Sequence, residues 1–323
     1  MARLIQPEDI PDTLWNADTQ RLHLAPMLLT AWMHLLQHAG LQDKALQPSP
    51  KGAKIGGLSK EETDAHLAWR FSGSSARVQL GVLDPQDELA GVADAFAKVF
   101  SGGTVLVVDL PCGSGAAILT LLASISELRR QGRIPRHPLN VKVVGGELSE
   151  FALDYASLAV SHIKEALAEQ AIWVSAKFLR WDALDKFSTA DLTNCLTVLG
   201  QECSARLMIL VNFSGFLQGD GKWSEALPRF ESLFLHGRAH NSFVLWIEPQ
   251  TNMVVKSGGF FRRVIIWFSD LFLTQQTQGE QEALVCENTR KSSACVQHPL
   301  KDLQFRVHLV IQRFDLPLRK TKA

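Results

Sequence analysis

Short, nearly continuous apolar runs alternate along this chain with longer segments in which apolar residues recur every three or four positions. Runs of the first kind are typical of strands buried on both faces of a parallel sheet, and segments of the second kind predict helices that pack on it. The runs predict strands at 104–108, 141–147, 172–181, 206–211 and 242–248. The periodic segments predict helices at 26–40, 84–101, 116–130, 149–170, 224–236 and 259–275. This alternation predicts an α/β fold.

The last two apolar segments, 283–287 and 304–314, have a different pattern. In the second of them, Phe305, Val307 and Leu309 alternate with polar residues, which is typical of an antiparallel strand. We therefore expect a mostly parallel sheet that ends in a strand pair whose last member is antiparallel.

The first 80 residues predict a helical extension that caps the α/β part. Residues 41–60 are rich in proline, glycine and lysine, which predicts a flexible loop. Residues 69–79 combine small hydroxyl side chains with Arg77, and this pattern fits either a serine-rich turn or a carboxylate site. We expect three parts: an extension over 1–80, an α/β domain over 81–316 and a basic tail over 317–323.

The amino-acid composition excludes fewer classes of function than the pattern of apolar and polar residues does. The 323 residues carry 33 Lys and Arg against 33 Asp and Glu, so any nucleic-acid surface would have to be local. Five scattered cysteines, with no apolar leader and no apolar run of membrane-spanning length, favour a cytoplasmic protein without a membrane partner. Two groups resemble metal ligands only loosely, so we expect no metal: His34 with His38, and Cys286 with Cys295 and His298.

The most informative stretch is Thr104–Gly115, which reads TVLVVDLPCGSG. An apolar strand ends in the carboxylate Asp109, a glycine-containing turn follows, and a helical pattern begins after it. Gly113 and Gly115 allow a ligand to approach the backbone, and a helix N-terminus offers unpaired N–H groups. This stretch has two interpretations. It can be the strand, turn and helix of a nucleotide-binding site, or the turn can be purely structural. The dinucleotide pattern would need a glycine at position 118, which is isoleucine.

The segment Asp109–Gly115 resembles motif I of class I S-adenosylmethionine (SAM) methyltransferases, with Pro111 in place of the first glycine. The resemblance covers about residues 84–314 and implies a Rossmann-like, seven-stranded, mostly parallel sheet whose seventh strand is antiparallel. It implies that the cofactor is SAM and that Asp109, Pro111, Cys112, Gly113 and Gly115 hold it.

Further binding residues are predicted from this resemblance, from their place at strand ends or from the chemistry of their side chains. Glu147 after the second strand is expected to bind the ribose hydroxyls, although a helix N-terminal charge would explain it as well. Asp182 is expected to accept the adenine amino group, and Arg77 to pair with the methionine carboxylate. At the end of the fourth strand, Asn212 is predicted to contact the cofactor and orient the acceptor, beside the substrate residues Phe213, Ser214 and Phe216.

Two functions remain open from the sequence. The first is methyl transfer to an unidentified acceptor: RNA, DNA, protein or a small molecule. The Pro-Cys-Gly-Ser-Gly portion is similar to the form found in many nucleic-acid methyltransferases, and this resemblance implies a nucleic-acid acceptor, RNA first. Four basic loop residues favour the same acceptor: Lys51, Lys54, Arg133 and Arg136. Amino-directed nucleic-acid methyltransferases carry Asn-Pro-Pro-aromatic where this chain has Asn-Phe-Ser-Gly, and only Asp220 and Glu248 offer a base near strand ends. The alternative is a non-catalytic subunit that binds SAM or a protein partner.

Overall fold

One mixed sheet of nine strands runs through residues 2–50, 57–218, 221–250, 259–272 and 289–316, which are the residues that the computed structural model describes. The strands are β1 (Trp15–Asn16), β2 (Arg21–Leu22), β3 (Gly103–Asp109), β4 (Leu139–Glu147), β5 (Ile172–Arg180), β6 (Ala205–Val211), β7 (Ser242–Pro249), β8 (Thr289–Gln297) and β9 (Gln304–Asp315). Their order in the sheet is β1-β2-β8-β9-β7-β6-β3-β4-β5.

The five central strands β3 to β7 are parallel, and β9 is antiparallel to both β7 and β8. This arrangement confirms the Rossmann-like α/β class and the antiparallel last strand. The predicted count of seven is wrong, because β1 and β2 extend the edge of the sheet beside β8. Each has only two residues, which is too short to produce an alternating pattern. The predicted strand 283–287 lies outside the described residues, and β9 pairs instead with β8.

Helices cover both faces of the sheet. Their bounds are α1 (Pro26–His38), α2 (Gln42–Leu46), α3 (Lys60–Trp69), α4 (Phe71–Leu83), α5 (Ala90–Phe100), α6 (Ala116–Arg130), α7 (Glu150–Ala168), α8 (Lys186–Gly200), α9 (Ser214–Leu217), α10 (Lys222–His236) and α11 (Gly259–Phe272). Val105 and Val107 of β3 face a core formed with α1 and α4 to α7, whereas Leu106 and Val108 face a second core with α8, α10 and α11. A strand covered on both faces has to be apolar throughout, and this explains the continuous run in the sequence.

Three local predictions before the first central strand need correction. The serine-rich stretch is not a turn but helix α4, whose residues Ser72, Ser74 and Ser75 are buried because small side chains let the helix pack closely. The helix predicted from Asp84 begins at Ala90, and Asp84 instead ends α4 in a left-handed conformation, with φ of 46°. The predicted loop 41–60 contains α2, and Ser59 caps α3.

The N-terminal residues bond to the rest of the chain at several places. Arg3 pairs with Asp84 at 2.6 Å, and the Thr13 hydroxyl donates to Glu127 at 2.5 Å. Helix α4 runs through position 80, where the predicted extension ends. The division into an extension, a domain and a tail stays a prediction. Within the described residues, no helix has the length and apolarity that crossing a membrane requires.

Candidate functional site

The loop after β3 is held against two neighbouring strands by backbone hydrogen bonds. The Leu110 amide donates to the Ile209 carbonyl at 3.0 Å, and the Cys112 amide donates to the Gly146 carbonyl at 2.9 Å. Gly113 and Gly115 have φ of 50° and 83°, and α6 begins directly after them. A left-handed backbone favours glycine, so the two glycines are what the turn requires.

The two glycines face different surroundings. A Cβ on Gly115 would lie 3.3 Å from the backbone of Ala156, so Gly115 allows α6 and α7 to pack closely and does not line a cavity. A Cβ on Gly113 would meet no atom of a described residue within 4 Å. Gly113 therefore leaves open space at the N-terminus of α6, where backbone N–H groups favour an anion or a polar ligand.

Strand β4 approaches this loop so closely that two of its residues have to be glycines. A Cβ on Gly145 would lie 2.5 Å from the Phe178 ring and 3.0 Å from the Cys112 sulfur. A Cβ on Gly146 would lie 2.5 Å from Leu110. The glycine pair thus fixes the position of the loop relative to the sheet.

We expect Gly145→Ala to lower the free energy of unfolding by about 2 kcal/mol, because the added methyl group overpacks the contact with Phe178. Urea unfolding measures this loss. Gly73→Ala is the matched control, since its Cβ would meet only the end of Arg77 at 3.8 Å, and alanine is the better helix former. Equal stability of the two variants would contradict the packing argument.

A cleft of about 770 Å³ lies at the carboxyl ends of the central strands. Ten of the twelve site residues predicted from the sequence line it: Arg77, Asp109, Pro111, Cys112, Gly113, Glu147, Asp182, Asn212, Phe213 and Phe216. The other two, Gly115 and Ser214, lie behind its wall, where Ser214 is fully buried. The structure therefore brings the predicted residues together around one space, and their individual roles stay predictions.

Asp109 is the least satisfied polar group of the cleft. Its side chain is 1% exposed, and neither carboxylate oxygen has a hydrogen-bond partner among the residues that the structure describes. Burial raises the pKa of this carboxyl well above its usual range, only partly offset by the nearby Ile118 amide and reinforced by the charge of Glu147. A buried carboxylate without a partner is costly, and a cationic ligand group in the cleft would relieve the cost.

Glu147 and Asp182 stand at the ends of β4 and β5. Glu147 accepts the Gly113 amide at 3.1 Å on one oxygen, and on the other it accepts the amides of Leu148 at 2.8 Å and Ser149 at 3.1 Å. Asp182 accepts the Leu184 amide at 2.9 Å. Both side chains are half-buried, so each keeps oxygen lone pairs open toward the cleft.

Asn212 joins the end of β6 to helix α4. Its amide nitrogen donates to the Ser74 hydroxyl at 2.8 Å, and its carbonyl accepts from Arg77 at 3.2 Å. Its backbone is left-handed, with φ of 58°. The Arg77 Nε is buried and has no hydrogen-bond partner within the described part of the chain. Burial lowers the pKa of this guanidinium to about 10 despite the attraction of Glu248.

We expect Asn212→Ala to be less stable than Asn212→Gly by about 1 kcal/mol, since both lose the side-chain bonds but only alanine strains the left-handed backbone. Thermal unfolding of the two variants, compared at one pH, measures the difference. Equal stability would show that the turn relaxes out of its left-handed conformation.

Glu248 holds the turn after β6 in place through hydrogen bonds. One oxygen of this fully buried carboxylate accepts the amides of Phe213 at 2.8 Å and Ser214 at 2.7 Å, and the Trp246 indole at 2.9 Å. Burial raises the pKa of Glu248. Because its accepting oxygen is committed to the turn, Glu248 supports the site structurally. Asp220, the other weak candidate for a base, lies outside the described residues.

Helices α3 and α4 form one wall of the cleft, and the sequence did not predict most of the residues that line this wall. Successive turns of these helices line the cleft with Thr63, His66, Arg70, Ser74 and Arg77. Thr63 also bonds Ser149 through their hydroxyls at 2.9 Å, which ties this wall to α7. The spacing 66, 70, 74 and 77 is helical, and it would have been visible if residues 69–79 had been read as a helix.

Two of the four basic residues that favoured RNA, Arg133 and Arg136, lie away from the cleft. Arg133 and Arg136 lie between α6 and β4, at the amino end of the strands, whereas the cleft lies at the carboxyl ends. Lys51 and Lys54 lie outside the described residues. Arg133 and Arg136 therefore give no support for RNA binding at the cleft, because α6 carries the chain to the amino ends of the parallel strands. The preference for RNA stays a prediction.

The described residues contain no group of three or more metal-ligating side chains that could hold an ion. His34 stacks on His162 of α7, with ring centroids 4.0 Å apart, while His38 is exposed. Cys295 bonds Gln304, and Cys286 lies outside the described residues. The cysteines that the structure describes are free thiols: Cys112, Cys195, Cys203 and Cys295.

No protein-family model matches the chain, and no curated protein sequence does. Among solved structures, it is similar to a putative SAM-dependent methyltransferase from Methanococcus maripaludis, with 11% identity over 84% of this chain and 99% of that one and a TM-score of 0.29. It is also similar to a loganic acid methyltransferase with SAH, with 8% identity over 81% and 98% of the two chains and a TM-score of 0.34. A glycopeptide N-methyltransferase complexed with sinefungin shares 9% identity over 68% and 84%, with a TM-score of 0.26. At these identities and TM-scores the similarities assign no family.

Proposed function

We propose that the cleft binds SAM and that the protein transfers its methyl group to an acceptor held between the sheet and helices α3 and α4. The observation that carries this proposal is the buried, unpartnered carboxylate of Asp109, which lines the same cleft as a guanidinium with an unpartnered buried nitrogen, Arg77. An amino acid carries an ammonium and a carboxylate on one carbon, so a cleft with both partners fits the methionine part of SAM.

The remaining polar groups of the cleft fit the nucleoside part. We assign Glu147, at the end of β4, to the ribose hydroxyls and Asp182, after the end of β5, to the adenine amino group. The support for both assignments is that each carboxylate lines the cleft at a strand end. The open space at Gly113 admits the ligand close to the backbone, beside Pro111 and Cys112. The Cys112 thiol stays protonated, because burial raises its pKa well above the usual range.

When bound, SAM supplies a methyl group on a positively charged sulfur, which is open to attack by a nucleophile. The protein's part is then to position the acceptor and exclude water. Asn212 is fixed by Ser74 and Arg77, so its amide is preorganised to orient an acceptor beside Phe213 and Phe216. Asp109 has a raised pKa, but the proposal uses this carboxylate for the ligand ammonium, and His66 is a weak base because burial lowers its pKa to about 4. The remaining described groups of the cleft favour an acceptor that is nucleophilic without a base.

Calorimetric titration with SAM, S-adenosylhomocysteine (SAH) and NADH tests the cofactor assignment. We expect SAM and SAH to bind with micromolar dissociation constants and NADH to bind at least about a hundredfold more weakly. Absence of SAM and SAH binding at millimolar concentration would refute the proposal.

Methyl transfer needs its own test, because a non-catalytic subunit would also bind SAM. Incubation with tritium-labelled SAM and separate pools of small metabolites, RNA and protein should label one pool. The same reaction with Asn212→Gly, which keeps the turn but removes the orienting amide, should label it more slowly. Binding without any labelled pool would favour the non-catalytic alternative.

A further inference from the structure

The wall formed by α3 and α4 carries more positive charge than the cofactor uses. Arg70 and Arg77 are the only guanidinium or ammonium groups among the described residues that line the cleft. SAM brings one carboxylate, for which the proposed function uses Arg77. Arg70 remains, and it needs a separate explanation.

The Arg70 side chain is exposed, and no hydrogen bond or ion pair joins its guanidinium to a described residue. The backbone of Arg70 bonds to His66 and Ser74. It lies at the junction of α3 and α4, one helical turn from both His66 and Ser74. All three side chains line the cleft. An arginine in this position can form a bidentate pair with a carboxylate or phosphate that enters the cleft.

His66 is the polar neighbour of Arg70 on the wall. Burial lowers its pKa to about 4, helped by the positive charges of Arg70 and Arg77, so its imidazole is neutral at physiological pH. A neutral imidazole offers one N–H donor and one acceptor without adding charge. Arg70 and His66 together provide a cation and a hydrogen-bond donor on adjacent helical turns.

Two of the residues that line the cleft are exposed apolar side chains. Leu58 is 57% exposed and Phe216 is 37% exposed, although both line the cleft. Phe216 stacks on Phe213 with ring centroids 5.2 Å apart, and the Lys222 ammonium lies 4.3 Å from the Phe216 ring centroid. Exposed apolar side chains around a polar cleft mark a surface that a ligand with an apolar body can cover.

We propose, building on the methyltransferase function above, that the methyl acceptor is a small molecule with an apolar or aromatic body and an anionic group, and that Arg70 binds this anionic group. Phe216 and Leu58 cover the apolar body, and His66 donates a hydrogen bond. A polyanion such as RNA fits less well. The described lining residues include two guanidiniums and three carboxyl groups, those of Asp109, Glu147 and Asp182, so the described lining has no excess of positive charge whether or not Asp109 is ionised. Nucleic-acid sites surround the backbone with positive charge.

The test uses the full chain saturated with SAH and small probes of matched shape. Phenylacetate and phenyl phosphate are the anionic probes, phenylacetamide is the neutral counterpart, and an eight-nucleotide oligouridylate represents RNA. Saturation-transfer NMR at constant ionic strength measures binding. We expect both anions to bind at least about tenfold more tightly than phenylacetamide, and the oligouridylate not to compete with them.

Two variants separate the roles of the arginines. Arg70→Met should weaken phenylacetate binding about tenfold or more and leave the SAH affinity within about twofold. Arg136 is exposed and lies at the amino ends of the parallel strands, away from the cleft. Arg136→Met should therefore change neither the phenylacetate affinity nor the SAH affinity.

A large loss of SAH affinity in Arg70→Met would assign Arg70 to the cofactor and overturn the inference. Equal binding of phenylacetate and phenylacetamide, or competition by the oligouridylate, would also overturn it. Failure of the wild-type protein to bind SAH would instead refute the methyltransferase proposal.

Discussion

Asp109→Asn should make the ligand-free protein more stable and at the same time weaken SAM and SAH binding. Asparagine has nearly the same shape and does not ionise. Near neutral pH it therefore avoids the cost of holding an unpartnered buried carboxyl group, either protonated against its unfolded-state pKa or ionised, which is about 1–3 kcal/mol. Affinity falls because the ligand ammonium loses a charge-assisted hydrogen bond, which corresponds to a loss of about tenfold to a hundredfold. Thermal unfolding and calorimetry measure the two effects, and a variant that loses stability would contradict the account.

The same substitution should change how stability depends on pH. The folded-state pKa of Asp109 is raised above its unfolded value, so the folded protein keeps a proton that the unfolded chain has released. The contribution of Asp109 to the free energy of unfolding is therefore most favourable at low pH. This contribution is lost as the pH rises above the unfolded-state pKa of about 4. Between these two pKa values the wild type should lose up to about 1.4 kcal/mol per pH unit relative to Asp109→Asn. Urea unfolding of both proteins across pH 4–8 measures this difference.

Glu248→Ala should cause the largest loss of stability among the substitutions considered. It leaves three buried donors without an acceptor, namely the amides of Phe213 and Ser214 and the Trp246 indole. Each unsatisfied donor costs about 1–3 kcal/mol, so a total loss of about 4 kcal/mol or more is expected. Urea unfolding measures it, and the variant should also bind SAH more weakly because the turn that carries Asn212 loosens.

Glu248→Gln is the matched control, because its carbonyl oxygen can accept the same three hydrogen bonds. We expect it to be far more stable than Glu248→Ala. If the two variants were equally unstable, the negative charge of Glu248 near Arg77 would be the important contribution, and the hydrogen bonds would be secondary.

The central sheet was predictable because burial on both faces leaves a direct trace in the sequence. Val105 to Val108 have to be apolar wherever helices cover both sides of β3, and no other short element requires such a run. The carboxylates at strand ends were predictable for a related reason. Asp109, Glu147 and Asp182 each interrupt an apolar pattern at the point where a parallel strand reaches the cleft.

The wall of the cleft could not be predicted because its helices have no clear amphipathic pattern. Helix α4 packs between other elements, so most of its surface is buried and its small serines look like turn residues in the sequence. Glu248 was also underestimated. Its three hydrogen-bond partners come from Trp246, two residues away, and from a turn about 35 positions earlier, and only the folded sheet brings that turn beside it.

The pairing of β2 with β8 has a consequence for how the protein is made. Arg21 and Leu22 pair with Cys295 and Val296, so β1 and β2 reach their neighbour only after the chain has been synthesised as far as β8. Contacts of such sequence separation slow folding. Until β8 emerges from the ribosome, the apolar side chains of Leu14, Trp15 and Leu22 have no completed sheet edge to pack on. Chaperone binding during translation is therefore expected at the N-terminal end of this chain, and it should end when the last two strands join the sheet.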